Sequence, residues 1–375
     1  MTALYLGLIS GTSADGIDVA LASFARGPKL LASLTHPYPD RLRARILTLA
    51  QGDGRIALDE LGALDVEIAR TFAAAAMKLL RREDLDASGI RALGSHGQTV
   101  RHRPLGAAPY TMQLGDPNVI AELTGITTAA DFRRRDLAAG GHGAPLAPAF
   151  HAAMLARDKN VPSKGSRVVL NLGGIANITI LPGDERKPLR GFDTGPASCL
   201  LDAWVERHLD QPYDKDGAYA ASGHVDETLL KRLLSDPYFG EPPPKSTGRE
   251  VFHLTWLAQH LRGLTIAPKH VQATLVALSA QTIADAVRAN ARDAREVWVC
   301  GGGVHNPVLM AAIAEALAPI PVESITEIGI DPDFVEAMTF AWLARERLES
   351  RAAPNVHTVT GARGPRVLGG IYSAS

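Results

Sequence analysis

The sequence predicts an α/β protein of two domains, each a mixed sheet flanked by helices. Three observations carry this. Short apolar runs bounded by glycine turns alternate with longer stretches at helical spacing. A strand–glycine turn–strand pattern at the front of the chain recurs near its middle, at Arg167–Leu181. And 375 residues exceed the roughly 250–300 that one core usually organises.

The front pattern is Leu6-Gly7-Leu8-Ile9-Ser10-Gly11-Thr12-Ser13-Ala14-Asp15-Gly16-Ile17-Asp18-Val19-Ala20-Leu21. Tyr5–Ile9 and Ile17–Ala22 read as strands joined by a tight polar turn. Gly11 and Gly16 permit backbone conformations closed to other residues, so several N–H groups can face one side, with the Thr12 and Ser13 hydroxyls beside them. Such a nest takes an anion, commonly phosphate. The bland alternative is a hydroxyl-rich hairpin that binds nothing. It is no Walker loop, for no Gly-Lys-Ser/Thr and no helix follow.

Further along, Leu58–Arg82 has the spacing of one or two helices covering the first sheet. Ile90–Leu93 reads as a short strand ending in the turn Gly94-Ser95-His96-Gly97-Gln98-Thr99, a usual place for ligand contacts in α/β folds. Ile126–Ala130 is a strand, followed by Asp131-Phe132-Arg133-Arg134-Arg135-Asp136. By charge pattern alone these arginines read as a solvated, self-paired surface; the alternative is a fork for a carboxylate. The turn-rich Gly140–Pro148 segment is the best place for a domain crossing. Then come Arg167–Leu170, the turn Asn171-Leu172-Gly173-Gly174, and Ile178–Leu181.

A short strand then ends in Gly191-Phe192-Asp193-Thr194-Gly195-Pro196 before a helix at Ala197–Leu209. Asp193 is thus expected at a strand's carboxyl end, ahead of a helix amino terminus that favours its ionised form; a capping role is the alternative. Pro242–Arg249 is a proline-braced basic loop, which either covers a site or is a rigid surface excursion. Phe252–Leu261 and Val271–Ala291 read as helices. Val297–Cys300, Gly301-Gly302-Gly303 and a helix at Asn306–Leu317 form a strand–glycine–helix unit that lets backbone approach a flat or anionic ligand. Ile320–Glu323 reads as a last strand and Pro332–Glu349 as a final helix.

Composition narrows the function. Hydrophobic residues at 46% and charged ones at 21% are ordinary for a globular protein. A net charge of −1 gives no general attraction to nucleic acid or to a membrane surface. Cys199 and Cys300 form neither a disulfide framework nor a CxxC pair, which fits a reducing compartment. No secretory leader and no membrane-length apolar run appear, so a cytoplasmic protein is expected. HExxH, GxSxG and GxGxxG spacings are absent.

Two hairpins able to clamp a phosphate chain, a glycine turn able to receive a nucleoside, and one carboxylate at Asp193 suit phosphoryl transfer from ATP with Mg²⁺. That order resembles the superfamily of actin, chaperone ATPases and sugar kinases, a two-domain fold with an interdomain cleft. Within it the chain resembles most the 1,6-anhydro-N-acetylmuramic acid kinases of peptidoglycan recycling. The likeness runs through Gly7–Asp18, Gly94–Thr99, Ala130–Asp136, Gly140–Pro148, Asn171–Gly174, Gly191–Pro196, Lys245–Glu250, Cys300–Gly303 and Gly361–Leu368. Two departures stand out: Ala197-Ser198 replaces the family's Gly-Asn, and Ile9 and Asn171 occupy places where the wider superfamily carries acids.

The resemblance implies a small amino sugar and ATP as substrates, with a homodimer as a compatible assembly. It implies domains at 1–128 with 350–375 and at 129–349. Asp193 would be the base, with Glu336 orienting sugar or water, although periodicity alone makes Glu336 an exposed helix charge. ATP would lie on Gly11, Thr12, Ser13, Ala14, Asp15, Gly16, Ile17, Asp18, Gly173, Gly174, Gly301, Gly302, Gly303 and Asn306. The sugar would meet His96, Gln98, Arg133 and Arg134, the resemblance reversing the bland reading of the arginines. Mg²⁺ would be held by Asp15 or Asp193. A conventional sugar or carboxylate kinase is the first alternative, and a nucleotide-driven switch the second. A sugar-binding repressor would need an amino-terminal helix-turn-helix.

Overall fold

β1 (Leu4–Ser10) and β2 (Ile17–Ser23) pair antiparallel from Leu4↔Ser23 to Ile9↔Asp18, so the front pattern is the hairpin its apolar runs specify. The computed structural model in which this is seen describes residues 2–52, 54–155, 165–184 and 186–374. β3 (Lys29–His36) continues the meander antiparallel to β2. β4 (Ile90–Arg103) runs parallel to β1, with β5 (Tyr110–Leu114) antiparallel to it and β6 (Thr128–Ala130) parallel to it. A strand at Gly370–Tyr372 closes the sheet against β6.

β4 corrects the sequence reading. Gly94–Thr99 lies inside a 14-residue strand, not in a turn after a short one. The reason is packing: a methyl on Gly94 would sit 2.0 Å from the carbonyl oxygen of Phe340, and one on Gly7 would sit 1.9 Å from that of Ala337. The helix Val335–Leu348 therefore lies directly on β1 and β4, backbone against strand, with Ala337, Ala341 and Ala344 supplying the small face. The opposite face of the sheet carries the single long helix Leu58–Arg82, whose Ile68, Phe72, Ala76 and Leu79 join Leu6, Leu8, Ile17 and Val19 in one core.

The second sheet repeats the plan. β7 (Ser166–Leu172), β8 (Ile175–Leu181) and β9 (Arg190–Pro196) form an antiparallel meander; β10 (Ala294–Cys300) is parallel to β7, and β11 (Val322–Ser324) is parallel to β10. Its order, β11-β10-β7-β8-β9, matches β6-β4-β1-β2-β3 strand for strand. The two glycine hairpins are thus equivalent parts of a duplicated topology. The core here gathers Val168, Leu170, Ile178, Val297 and Val299 with Val276, Ile283 and Val287 of the helix Pro268–Asn290.

The chain divides into two compact units, Met1–Arg157 with Phe334–Ser375, and Asp158–Asp333. These differ from the expected 1–128 with 350–375 and 129–349. β6 pairs in the first sheet and the Val335–Leu348 helix covers it, so both belong to the first unit. The Gly140–Pro148 segment lies within that unit as well and is no crossing. Nor is the 335–348 helix the last element: a short helix at Val356–Thr360 and the 370–372 strand follow.

Candidate active site

In the first unit, the β1–β2 turn has its acceptors tied down. Gln98 Nε2 donates to Gly11 O (3.0 Å), and the Ala14 amide closes back onto the same oxygen (3.1 Å). Arg43 Nε donates to Ala14 O (3.2 Å) and its Nη2 to Ser13 O (3.4 Å) and Asp15 Oδ1 (2.7 Å). Among the described residues, the amides of Thr12, Ser13 and Asp15 meet no protein acceptor. A turn whose carbonyls are held inward by Gln98 and Arg43 presents its N–H groups outward, the geometry of an anion nest.

The glycines do this differently from the expectation. Neither Gly11 nor Gly16 takes positive φ; Ala14 does, at 51°. Gly16 is required by β3, since a methyl there would lie 2.7 Å from Thr35. Gly11 has open space in front of it, with Ser13 Oγ 3.8 Å from a methyl at that position. Ala14, Gly16 and Ile17 are buried, so the exposed part of the nest is Gly11, Thr12, Ser13 and Asp15. Asp18 accepts from Thr35 Oγ1 (2.6 Å), and its charge reaches Glu336.

Beside it lies a second cluster in the same unit. His96 is buried, with Nδ1 on Gly97 O (2.9 Å), which fixes the proton there, and Nε2 accepting from Arg133 Nε (2.9 Å). Burial, with Arg133 adjacent, holds the imidazole neutral well below its usual range. The Phe340 ring backs it at 4.7 Å. Arg133 in turn is pulled down to about 10 by burial, with Glu336 opposing. Glu336, on the first turn of the 335–348 helix, is reached by water. The protein crowded around it raises its carboxyl; Arg133 lowers it again and Asp18 adds to the rise. Gln98 is fully buried and bonded by Tyr38 (3.2 Å), so it shapes the nest and cannot touch a ligand directly.

In the second unit, the Gly173–Gly174 turn joins β7 to β8. Its carbonyls are also occupied: Ser198 N donates to Gly173 O, and Ala197 N and Cys199 N to Gly174 O, at 3.0–3.1 Å. Among the described residues the amides of Gly173 and Gly174 meet no protein acceptor. A methyl on Gly173 would touch only Ile175 O, at 3.5 Å. Those three donors are the first N–H groups of the Ser198–Leu209 helix, so that helix end is spent on the turn. Asp193 itself sits at the middle of β9, not at its carboxyl end as expected.

What does hold Asp193 is the 245–247 loop. Ser246 Oγ (2.9 Å) and Thr247 N (3.0 Å) both donate to Oδ2, and Tyr238 OH donates to the residue's carbonyl (2.8 Å). Among the described residues Oδ1 has no hydrogen-bond partner. Burial raises this carboxyl above the ordinary range, the two bonds opposing and Glu250 adding. The result is one anchored oxygen and one free basic oxygen. The glycine run after Cys300 keeps the expected strand–glycine–helix order. Gly301 (φ 84°) and Gly303 are packed against Asn171 and Leu172, whereas a methyl on Gly302 would meet only Asp333 Oδ1, at 4.0 Å. Asn306 caps the Pro307–Leu317 helix through Leu309 N (3.0 Å), a structural use of its side chain.

Residues 3–374 match the family model for anhydro-N-acetylmuramic acid kinase. The chain belongs to that family. A relative of that name from Xanthomonas axonopodis pv. citri is 54% identical over 376 residues, covering 99% of this chain and 98% of the relative. One from Coxiella burnetii is 48% identical over 369 residues, covering 98% and 97%. Among solved structures, an activator of 2-hydroxyisocaproyl-CoA dehydratase from Clostridium difficile with bound ADPNP aligns at a TM-score of 0.46 and 11% identity, over 92% of this chain and 96% of that one. That last likeness is too low to add to the conclusion.

Against the family expectation, the structure brings Arg133, His96 and Glu336 together and sets Arg134 apart. Arg134 is exposed, pairs with Asp131 (3.5 Å) and lines an open depression of about 460 Å³ with Arg135, Arg347 and Gly369–Gly370. For Mg²⁺, no three His, Cys, Asp or Glu side chains gather among the described residues. Mg²⁺ commonly binds through one or two carboxylates, with water and phosphate completing its shell, so single carboxylates still suit it. Asp15 is exposed and half engaged by Arg43; Asp193 has its free oxygen. Arg43, Tyr38, Phe340 and Tyr238 were not singled out from sequence, whereas Ser246 lies in the proline-braced loop that was. The missed residues act through long-range contacts that leave no periodic or spacing signal.

Proposed function

We propose that this chain is an ATP-dependent kinase that opens 1,6-anhydro-N-acetylmuramic acid with water and phosphorylates its O6, in peptidoglycan recycling. Asp193 carries the reading: a carboxylate with one oxygen held by Ser246 and Thr247, the other free, and a raised pKa suits a general base. Its free Oδ1 takes a proton from water as that water bonds to C1. The C1–O6 bond breaks, O6 bonds to the γ-phosphorus, the bridge to the β-phosphate breaks, and ADP leaves. Asp193 then releases its proton to solvent. The chemistry is an inverting glycoside opening in which phosphoryl capture replaces the acid.

Each unit offers its own phosphate donors, the outward amides at Thr12–Asp15 in the first and at Gly173–Gly174 in the second, and the open face of Gly302 suits the nucleoside. Asp15 or Asp193 would hold Mg²⁺ together with the nucleotide, and the ion would supply charge neutralisation. Arg133, already desolvated and aligned by His96, offers its remaining N–H groups to the sugar's lactyl carboxylate, with Glu336 beside it to orient a hydroxyl or water. No helix among the described residues is long and apolar enough to cross a membrane, and the substrates are small soluble molecules; the cytoplasm is the working place proposed.

The test is one incubation with ATP, Mg²⁺ and the anhydro sugar in water labelled with heavy oxygen, read by mass spectrometry. Wild type should give the hydrated 6-phosphate with the label at C1 and none in the phosphate. Asp193→Asn should lower turnover by about 10²–10⁴-fold while leaving nucleotide binding intact. A conventional kinase incorporates no solvent oxygen, and that outcome would replace this mechanism.

A further inference from the structure

The proline-braced loop contributes more than the two groups that hold Asp193. Its Lys245 Nζ donates to Tyr238 O (2.9 Å), and Lys245 O accepts from Asp193 N (3.3 Å). At its far end, Gly248 O accepts from Val251 N and Phe252 N, both at 3.1 Å, starting the turn that buries Phe252. Between these anchors stands Arg249. A methyl on Gly174 would lie 3.1 Å from Arg249 Nε and 3.2 Å from its Nη2, so the guanidinium lies across the Gly173–Gly174 turn. It is exposed, and among the described residues it makes no hydrogen bond or ion pair. Its charge reaches the start of the 198–209 helix, where it lowers Cys199 and Asp202 against the rise that burial gives both.

An unpaired guanidinium laid over a turn whose own amides lack acceptors is a positive fork with no protein anion to satisfy it. Gly174 is the residue that makes the approach, since any side chain there would push the fork away. We infer that Arg249 is a phosphate-binding residue that grips the terminal, transferring phosphoryl group of the bound nucleotide. One loop thereby carries the support of the base and the cation that meets the developing phosphate charge. This rests on the reading of the glycine turns as the nucleotide's phosphate site.

The experiment compares the binding of a non-hydrolysable ATP analogue with that of ADP, by calorimetry with Mg²⁺, in wild type, Arg249→Met and Arg249→Lys. Arg249→Met should weaken the analogue by about 10–100-fold and ADP by less than about threefold, since a lost charge-assisted contact acts only where the terminal phosphate sits. Arg249→Lys should recover part of the loss, because it keeps the charge and gives up the fork. Equal weakening of both nucleotides, or none of either, would overturn the assignment while leaving the nucleotide site in place. A wild type that binds neither would overturn the nucleotide reading itself. Wild-type unfolding temperature in both variants is the expected control, because the side chain supports nothing in the fold.

Discussion

Replacing Gly94 with Ala tests whether the site of the first unit is seated as described. The new methyl would lie 2.0 Å from Phe340 O and 2.7 Å from its carbonyl carbon, and both are helix backbone that cannot rotate aside. Ordinary contact begins near 3.4 Å, so the Val335–Leu348 helix must retreat by roughly 1.4 Å. Overpacking of a close interface costs about 1–3 kcal/mol, and displacing a whole helix belongs at the upper end. At about 2–4 °C per kcal/mol for a unit of this size, the first unit should unfold some 6–12 °C earlier. Activity should suffer more than stability. The same helix carries Glu336 and the Phe340 ring behind His96, and a misplacement of about 1 Å costs on the order of 10²-fold in kcat/KM. The assay is thermal unfolding by circular dichroism beside steady-state kinetics. Gly62→Ala serves as the control: nothing lies within 4 Å of a methyl there, and in a helix interior it should stabilise by about 0.5–1 kcal/mol. A Gly94→Ala protein with wild-type melting and wild-type kinetics would refute the seating of the helix.

Other consequences are more local. Gly302→Val should keep the fold, since its side chain meets only Asp333 at 4.0 Å, yet abolish measurable ATP binding; unchanged affinity would move the nucleoside elsewhere. Arg133→Ala should raise KM for the lactyl-bearing sugar by about 10–100-fold and barely affect an analogue without the lactyl group, whereas Arg134→Ala, which loses only an exposed pair, should stay within about twofold; equal losses on both sugars would make Arg133 structural. The acid limb of kcat/KM should lie above the ordinary aspartate range, because the base must be ionised and burial raises Asp193. The same shift carries a stability sign: a folded pKa above the unfolded one contributes stability that is full below about pH 4 and is lost as pH rises through the folded value. Asp193→Asn should therefore melt at or above wild type at neutral pH, with the gap closing on acidification.

Strands and helices were legible where apolar period and glycine punctuation agreed, as in both hairpins, the Leu58–Arg82 helix and the strand–glycine–helix unit at Gly301. The failures share one cause. Gly94 and Gly97 read as turn residues because glycine usually marks a turn, but Gly94 is needed because a helix some 240 residues later lies on it. The domain boundaries failed for the same reason, since Thr128–Ala130 and Val335–Leu348 find their partners in the first sheet only in three dimensions. Within the candidate site, residue types were legible and their division of labour was not. Gln98 and Arg133 both looked like substrate contacts. A buried amide holding Gly11 O and a desolvated arginine held by His96 are distinguished only by who bonds to whom.

The duplicated topology explains how one sequence builds the same kind of hairpin twice, once in each unit. Both sheets run meander, parallel strand, parallel strand, and both hairpins solve one problem: presenting bare amides while keeping carbonyls satisfied. They solve it with different parts, side chains of Gln98 and Arg43 in the first and the amides of a helix start in the second. That difference frees what lies next to each turn for separate work. In the first unit the strand after the meander can bury His96 against Phe340 and so align Arg133. In the second, the helix start is committed to Gly173 and Gly174, Asp193 is held by Ser246 and Thr247 instead, and burial raises its pKa.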